Sequence, residues 1–381
     1  MIRCTTCNDV GSISKAGKIN NNQRYYCKNC NIHFTLLTDK LESTPIQKKQ
    51  NVTIKDIAEA LNVSFSTVSK ALLDSPLINP QTKNKVLDMA KKMNYTPNLN
   101  AKSLAKHSSN TIGIIIPSIV SSSFYPEILQ GIQEILTEKK YNSIICLSHE
   151  SYENEIANCN QLMNYRVDGV LASITSKTID SNHLQQFKER NIPIVFINRA
   201  PENFKASSVT VNNYEAGCKA VEYLIERGCK RIAHVAGPTN LKFSKERLKG
   251  YYDTLIKYDI DIDQDLIVFN DLYTQNSKEC IKYLLDQKNR PDGVFVYTDF
   301  IGIELINAAK ERGISIPNQL HIVGMGNSPV SSIIEPKLTT LSGPTIEMGM
   351  IATELLIEQI ESKKNKIKNI SLEVELLKRG T

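Results

Sequence analysis

From Thr111 onward the chain alternates short, continuously apolar runs with amphipathic helical stretches, and this limits its fold more than any other feature. The runs are Ile112–Ile116, Ser143–Leu147, Gly169–Ile174, Ile194–Ile197, Arg231–Ala236, Gly293–Tyr297 and Ile322–Met325, with a last one over Ser371–Leu377. Helical patterns such as Ala216–Glu226 and Glu304–Arg312 fall between them. A strand buried on both faces is apolar at every position, and parallel strands need helical crossovers, so the pattern predicts parallel α/β layers. So many strands fit two sheets in two lobes better than one. The expected lobes are 111–210 with 343–370, and 211–342.

The front of the chain has a different texture. Residues 1–35 are polar and carry four of the nine cysteines, as Cys4-Thr-Thr-Cys7 and Cys27-Lys-Asn-Cys30. Two C-x2-C knuckles 19 residues apart can converge four thiolates on a tetrahedral zinc ion at about 2.3 Å. A segment this short and polar cannot hold itself together by burial, so metal would supply its folding energy. The alternative is a pair of redox dithiols or four unliganded thiols. Asn8 and Asn31 follow the knuckles, where the backbone often turns with positive φ, which Asn tolerates. The run Gln23-Arg24-Tyr25-Tyr26-Cys27-Lys28-Asn29-Cys30, ending in Phe34, resembles the small zinc ribbons at the front of insertion-sequence transposases. That resemblance implies a module facing nucleic acid or protein. Residues 36–51 lack periodicity and read as a linker.

Residues 52–98 read as three short helices. Thr53-Ile-Lys-Asp56 has capping-box spacing and leads into Ile57, Ala58 and Leu61 on one face. After a turn at Asn62-Val63, Ser64 is the natural cap of a second helix, Phe65–Leu72, with Val68, Ala71 and Leu72 inward. Asn79 before Pro80 starts a third, with Val86, Leu87, Ala90 and Met93 along its buried stripe. Two short helices across a tight turn, backed by a third, form a helix-turn-helix, whose second helix enters the major groove of DNA. Residues 1–110 carry a net +9 and the remainder −3, which suggests an arm that meets an anion; the alternative is a solvated basic surface.

The stretch Val52-Thr-Ile-Lys-Asp-Ile-Ala-Glu-Ala-Leu-Asn-Val-Ser-Phe-Ser-Thr-Val-Ser-Lys-Ala-Leu, with Val86 and Asn94-Tyr-Thr-Pro-Asn98, resembles the lactose/galactose repressor (LacI/GalR) family, and the likeness runs to about Arg379. It implies a DNA-binding repressor whose two-lobed body (111–381) has the periplasmic sugar-binding fold, acting as a homodimer on a pseudo-palindromic operator. By the same resemblance Phe65, Ser66 and Lys70 would reach base edges, and Thr53, Ser69 and Asn98 would touch phosphates. Lys70 stands where the family often has Arg, which keeps charge but loses the two-pronged fit to guanine. For Phe65 the alternative is a core aromatic. Residues 99–110 correspond to the family's hinge helix, with Ala101 in the minor groove and Leu104 as an apolar wedge between base pairs. The alternative there is an ordinary linker.

Two α/β lobes leave a crevice at the carboxyl ends of their strands, suited to a small polar ligand. Candidates that follow strands are Ser122, Ser123, Phe124 and Tyr125, then Asn198 and Arg199, and Asp299; Arg247 lies in Ser244-Lys-Glu-Arg-Leu-Lys-Gly250. The resemblance points to Arg247 and Asp299 as the main contacts of a sugar-like effector, with Tyr273 near the place of an aromatic lid. The alternative for Arg247 and Asp299 is a salt bridge between lobes. Asn198 stands where many relatives have Asp, and Gly326-Asn327 where an acidic pair is more usual.

Other classes find little support. There is no G-x-x-x-x-G-K-[ST] loop and no H-E-x-x-H, and Gly324-Met-Gly326 lacks the third glycine of a dinucleotide fingerprint, so no enzyme is expected. The longest apolar runs fall far short of the ~20 residues of a membrane helix. The first residues, MIRCTTCNDVGS, contain no secretory signal, so a cytoplasmic, nucleoid-associated protein with reduced cysteines is expected.

Overall fold

The structure, a computed structural model, describes residues 2–19, 22–35, 52–96, 108–119, 123–271, 276–362 and 366–381. The expectations for the linker (36–51), for Asn98, Ala101 and Leu104, for Ser122 and for Tyr273 lie outside the described residues. The chain divides into two compact units, 1–98 and 99–381.

In the first unit, β1 (Ile13–Ile19), β2 (Asn22–Cys27) and β3 (Ile32–Thr35) form an antiparallel meander. The β1–β2 register slips between Lys15 and Lys18, where Gly17 has a φ of +86°. A bulge at this point needs the left-handed backbone that glycine adopts at no steric cost. Asn8 (φ 59°) and Asn31 (φ 60°) take the positive-φ positions after the two knuckles.

The helical block is α1 (Ile54–Leu61), α2 (Phe65–Leu72) and α3 (Pro80–Lys92). Each start is capped by the residue expected: Thr53 and Asp56 form a reciprocal capping box, Ser64 accepts from Thr67 N–H, and Asn79 accepts from Gln81 N–H ahead of Pro80. The turn between α1 and α2 closes on Asn62, at φ 51°. Ile57, Ala58, Val68, Ala71, Val86 and Ala90 form the core of this block. Leu87 departs from the expected stripe: it is 45% exposed, because Val86 and Ala90, one turn apart, already fill the face toward α1 and α2.

The second unit carries two six-stranded sheets. The first has the order β14-β8-β7-β6-β4-β5, all parallel: β4 (Thr111–Ile116), β5 (Asn142–Leu147), β6 (Gly169–Ala172), β7 (Ile194–Ile197), β8 (Ser207–Val211) and β14 (Asn369–Leu372). The second has the order β10-β9-β11-β12-β13-β15: β9 (Ile232–Ala236), β10 (Ile267–Phe269), β11 (Gly293–Val296), β12 (His321–Met325) and β13 (Thr339–Ser342) are parallel, and β15 (Glu375–Leu377) is antiparallel. The single terminal strand expected over Ser371–Leu377 is thus two, one in each sheet. The strands β8, β10 and β13 were not marked by a long apolar run; Ser207–Val211, for example, alternates buried and half-buried residues.

Helices α4 (Phe124–Lys139), α5 (Tyr152–Tyr165), α6 (Asn182–Glu189) and α11 (Thr345–Ser362) belong to the first lobe. Helices α7 (Asn213–Glu226), α8 (Lys242–Lys257), α9 (Asn276–Leu285) and α10 (Asp299–Glu311) belong to the second. The chain passes between lobes after β8, after β13 and after β14. No described helix is long and apolar enough to cross a membrane.

Candidate DNA-binding, ligand-binding and metal sites

On α2 the apolar side chains Val68 and Ala71 are buried, which turns the opposite face to solvent. Phe65 is 54% exposed, so it is not a core aromatic, and Ser66 and Lys70 beside it are exposed too. Ser69 is half-buried. An exposed Phe at the first position of a helix and an exposed lysine five residues on, with Ser66 between them around the helix, border a solvent face that carries an apolar surface at one edge and a cation at the other. The hydroxyl of Ser66 lies 2.8 Å from that of Ser64. Thr53 is exposed, but its hydroxyl and backbone N–H both donate to Asp56 Oδ2, at 2.8 and 2.7 Å. Those bonds hold the Asp56 carboxyl below its ordinary range, and any phosphate contact by Thr53 shares its donors with the cap.

The Sγ atoms of Cys4, Cys7, Cys27 and Cys30 all lie within 4.8 Å of one another. Cys4 Sγ is 3.4 Å from Cys30 Sγ, and Cys7 Sγ is 3.6 Å from Cys27 Sγ. Four ligands at about 2.3 Å from a tetrahedral centre are separated by about 3.8 Å, whereas a disulfide needs about 2.05 Å. The cluster is therefore close enough to hold a metal ion and too open for disulfides. Backbone N–H groups at Cys7 and Thr6 favour the anionic form of Cys4, bringing its thiol down to about 6.

In the second unit the crevice between lobes is a cleft of about 460 Å³, lined by loops after β6, β7 and β9. Asn198 and Arg199 line it from the first lobe, and Asn240 and Phe243 from the second. Asn198 has a φ of 65°, which turns the chain sharply at the end of β7. The buried Arg199 donates to Glu150 Oε1 at 2.8 Å, and Glu150 Oε2 accepts from Ser176 N–H. Glu150 was not foreseen. It is set by two consecutive positive-φ residues, His149 and Glu150, which no sequence pattern announces.

The remaining candidates form two groups behind this cleft. In the first lobe, Tyr125 is buried, with its hydroxyl 2.8 Å from Ser173 Oγ and burial raising its phenol. Phe124 meets its ring edge-on at 5.2 Å, and the buried Ser123 hydroxyl caps no backbone group of α4. In the second lobe, Arg247 is buried, donating from Nε to Asn213 Oδ1 at 2.9 Å and from a terminal nitrogen to the Tyr297 carbonyl at 3.0 Å. Burial lowers its guanidinium to about 10. Asp299, two residues beyond Tyr297, is 2% exposed, with its carboxyl raised by burial. Its oxygens accept from the Thr340 hydroxyl and from Ser328 N–H, so a ligand must share them. Neither Arg247 nor Asp299 is in a salt bridge between lobes among the described residues; Arg247 meets neutral groups and Asp299 stays within its own lobe. The missed side chain here is Phe243. Its ring lies 4.9 Å from the Arg247 guanidinium and 5.8 Å from that of Arg199, so one residue links buried cations of the two lobes. It lies seven residues beyond β9, in the first turn of α8, outside the reach of the strand-end rule that selected Asn198.

Across the cleft, Asn240 donates to the Ser176 carbonyl at 2.6 Å and Lys245 pairs with Glu202 at 2.8 Å. These polar contacts join the two lobes at the cleft.

Comparison with known proteins agrees with this architecture. Residues 53–98 match the family model for bacterial regulatory proteins of the lacI family, and residues 221–381 match the periplasmic binding protein-like domain. The chain is 32% identical to catabolite control protein A of Priestia megaterium over 314 residues, 82% of this chain and 94% of that protein. It is also 32% identical to the probable HTH-type transcriptional repressor ExuR of Bacillus subtilis (strain 168), over 87% of this chain and 98% of that one. In fold it resembles the lac repressor dimer bound to operator and the anti-inducer ONPF, with a TM-score of 0.78, covering 87% of this chain and 99% of that chain at 23% identity. The capped helix-turn-helix, the two parallel sheets and these matches together place the chain in the lacI family of bacterial regulatory proteins, as a DNA-binding transcriptional regulator and not an enzyme.

Proposed function

We propose that the chain is a homodimeric repressor whose α2 reads a pseudo-palindromic operator and whose cleft takes a sugar or sugar derivative. The observation that carries the first half is the face of α2, where Phe65, Ser66 and Lys70 are exposed over a core of Val68 and Ala71. Phe65 supplies apolar contact to a thymine methyl, Ser66 a hydroxyl, and Lys70 a cation for guanine or phosphate. Thr53, Ser69 and Asn98 supply phosphate contacts, and Ala101 and Leu104 enter the minor groove.

The cleft supports the second half. Arg247, Asn198, Asp299 and the Tyr125–Ser173 pair offer hydrogen bonds from both lobes, with Ser123 on the first. Phe124 and Phe243 offer rings to a sugar's apolar face, and the family resemblance adds Tyr273 as an aromatic lid. A ligand shifts DNA affinity only through its different affinity for the two lobe arrangements. The four cysteines hold a structural zinc ion: their donor set is the one zinc prefers, and the sulfur spacing suits it. A reduced, cytoplasmic setting accords with nine cysteines of which none is in a disulfide.

Capture of genomic fragments by the full chain at about 0.1 M salt tests the reading. Selective enrichment of short palindromic sites is expected. Its disappearance in Lys70→Glu, with melting unchanged, supports α2 as the reader; equal enrichment by Lys70→Glu removes α2 from that role. A thermal-shift panel of sugars and sugar acids then tests the cleft, since Arg247→Ala abolishes any shift that the cleft produces.

A further inference from the structure

The N-terminal ribbon has one face that neither the metal cluster nor its small core uses. Antiparallel register places Lys15, Tyr25 and Phe34 on one side of the sheet, together with Ile13 and Cys27. That side packs as the core, where Cys4, Cys27 and Phe34 are buried. The other side carries Ser14, Tyr26 and His33 in one row and Arg24 and Thr35 in the next. The Tyr26 and His33 rings lie 4.7 Å apart, Tyr26 donating its hydroxyl to Asn31. Lys28 is exposed just beyond β2.

Charge separates the two kinds of partner such a face could meet. Residues 1–35 carry five cations, Arg3, Lys15, Lys18, Arg24 and Lys28, against one carboxylate, Asp9. That carboxylate ties the two knuckles together, accepting from Val10 N–H at 2.8 Å and from Asn29 Nδ2, within the second knuckle, at 2.7 Å. Even with four thiolates around a divalent ion, the ribbon remains at net +2. Its exposed large apolar side chains are only Val10 and Ile32 among the described residues, too few for the aromatic and aliphatic anchors of a protein interface. Hydroxyl groups, ring N–H groups and cations are the groups that bind phosphate oxygens.

We propose that the outer face of the β1–β2–β3 sheet, centred on Arg24, Tyr26, Lys28 and His33, is a second DNA-binding surface that grips the phosphate backbone of duplex beside the site held by α2. The inference rests on the reading of α2 as a DNA reader. The 16 residues between Thr35 and Val52 span at most about 55 Å at roughly 3.3–3.6 Å per residue, so the ribbon reaches duplex adjoining an α2-bound site. Tethering of this kind gives an effective concentration on the order of 1 mM. A backbone-only contact with a dissociation constant of roughly 0.1 mM would then be mostly occupied, and it would tighten the whole chain's grip about tenfold.

The experiment uses the full zinc-loaded chain, a mixed-sequence 60-bp duplex and a 40-nucleotide single strand, with anisotropy read across a salt series. Arg24→Glu/Lys28→Glu is expected to weaken duplex binding about tenfold or more and to reduce the salt slope by about two, since each phosphate that is no longer neutralised lowers it by roughly 0.9. Arg24→Gln/Lys28→Gln is expected to show the same direction with a smaller loss. One zinc per chain, measured by native mass spectrometry, shows that the ribbon of each variant is intact. Unchanged duplex affinity and slope in zinc-retaining variants overturn the proposal, as does a loss confined to the single strand. Failure of the unsubstituted chain to bind the duplex even at low salt overturns instead the reading of α2, and this inference with it.

Discussion

At the scale of single residues, exposure separates binding from folding. Phe65 and Val68 are three apart on α2, one 54% exposed and the other fully buried. Phe65→Ala should therefore leave stability within about 0.5 kcal/mol while weakening duplex binding by tenfold or more. Ile57→Ala, in the core beneath, should cost about 2–4 kcal/mol. Thermal melts beside anisotropy titrations check both, and a large stability loss in Phe65→Ala would return that ring to the core. His234 gives a pH prediction. It is stacked 4.6 Å from Phe295 and 5.4 Å from Tyr251, with Nδ1 3.0 Å from the Phe295 carbonyl. Burial is the main cause that lowers it to about 4. An unfolded histidine takes up its proton near pH 6.5. Between about pH 6.5 and 4 the unfolded chain thus binds more protons than the folded one, and stability falls as pH falls. The contribution is intact above pH 6.5 and is lost progressively toward pH 4, by roughly 2–3 kcal/mol. His234→Phe should flatten that part of the stability–pH curve relative to the unsubstituted chain; an unchanged slope would mean that this imidazole is not its source.

At the scale of elements, the two lobes use the same device. Helices α7 and α8 meet through Gly217 and Gly250: a Cβ on Gly217 would stand 2.3 Å from the Arg247 carbonyl oxygen, and one on Gly250 2.2 Å from that of Tyr214. Helices α4 and α11 meet likewise through Gly131 and Gly349, against the backbone oxygens of Ile346 and Ile128. These are backbone contacts that cannot rotate away. Gly349→Ala should destabilise the second unit by about 1–3 kcal/mol through overpacking. Gly217→Ala should add a displacement of Arg247 and weaken any ligand that Arg247 holds, which thermal shifts at matched melting points would detect. The helices with sharp local chemistry were legible in the sequence: Thr53, Ser64 and Asn79 each carry the cap that starts a helix, whatever lies around it. The strands buried on both faces were legible as apolar runs. Strands β8, β10 and β13 were not, because a short or partly covered strand needs few apolar residues, and β14 and β15 share one run that the chain divides between sheets. In the cleft, a strand-end rule found Asn198 and Arg199. Phe243 and Glu150 escaped because their places depend on lobe-to-lobe approach and on a positive-φ turn that local sequence does not encode.

For the whole molecule, the two units draw their stability from different sources. The second buries three clusters of aliphatic and aromatic side chains around its two sheets. Among the described residues, the ribbon at the front of the first buries only Cys4, Cys27 and Phe34, with a few half-covered neighbours, and two of those three belong to the cysteine cluster that could hold a metal ion. Removal of the ion leaves up to four thiolates within 4.8 Å of one another, so repulsion or protonation replaces the bonds that hold the knuckles together. A strong zinc chelator should therefore release one zinc per chain and open residues 1–35 to proteolysis, while the main thermal transition of residues 99–381 stays within about a degree. Cys27→Ser should reproduce the chelated state without chelator. Continued protection of residues 1–35 in a metal-free, reduced chain would show that the small apolar core suffices and that the four cysteines are not a structural site.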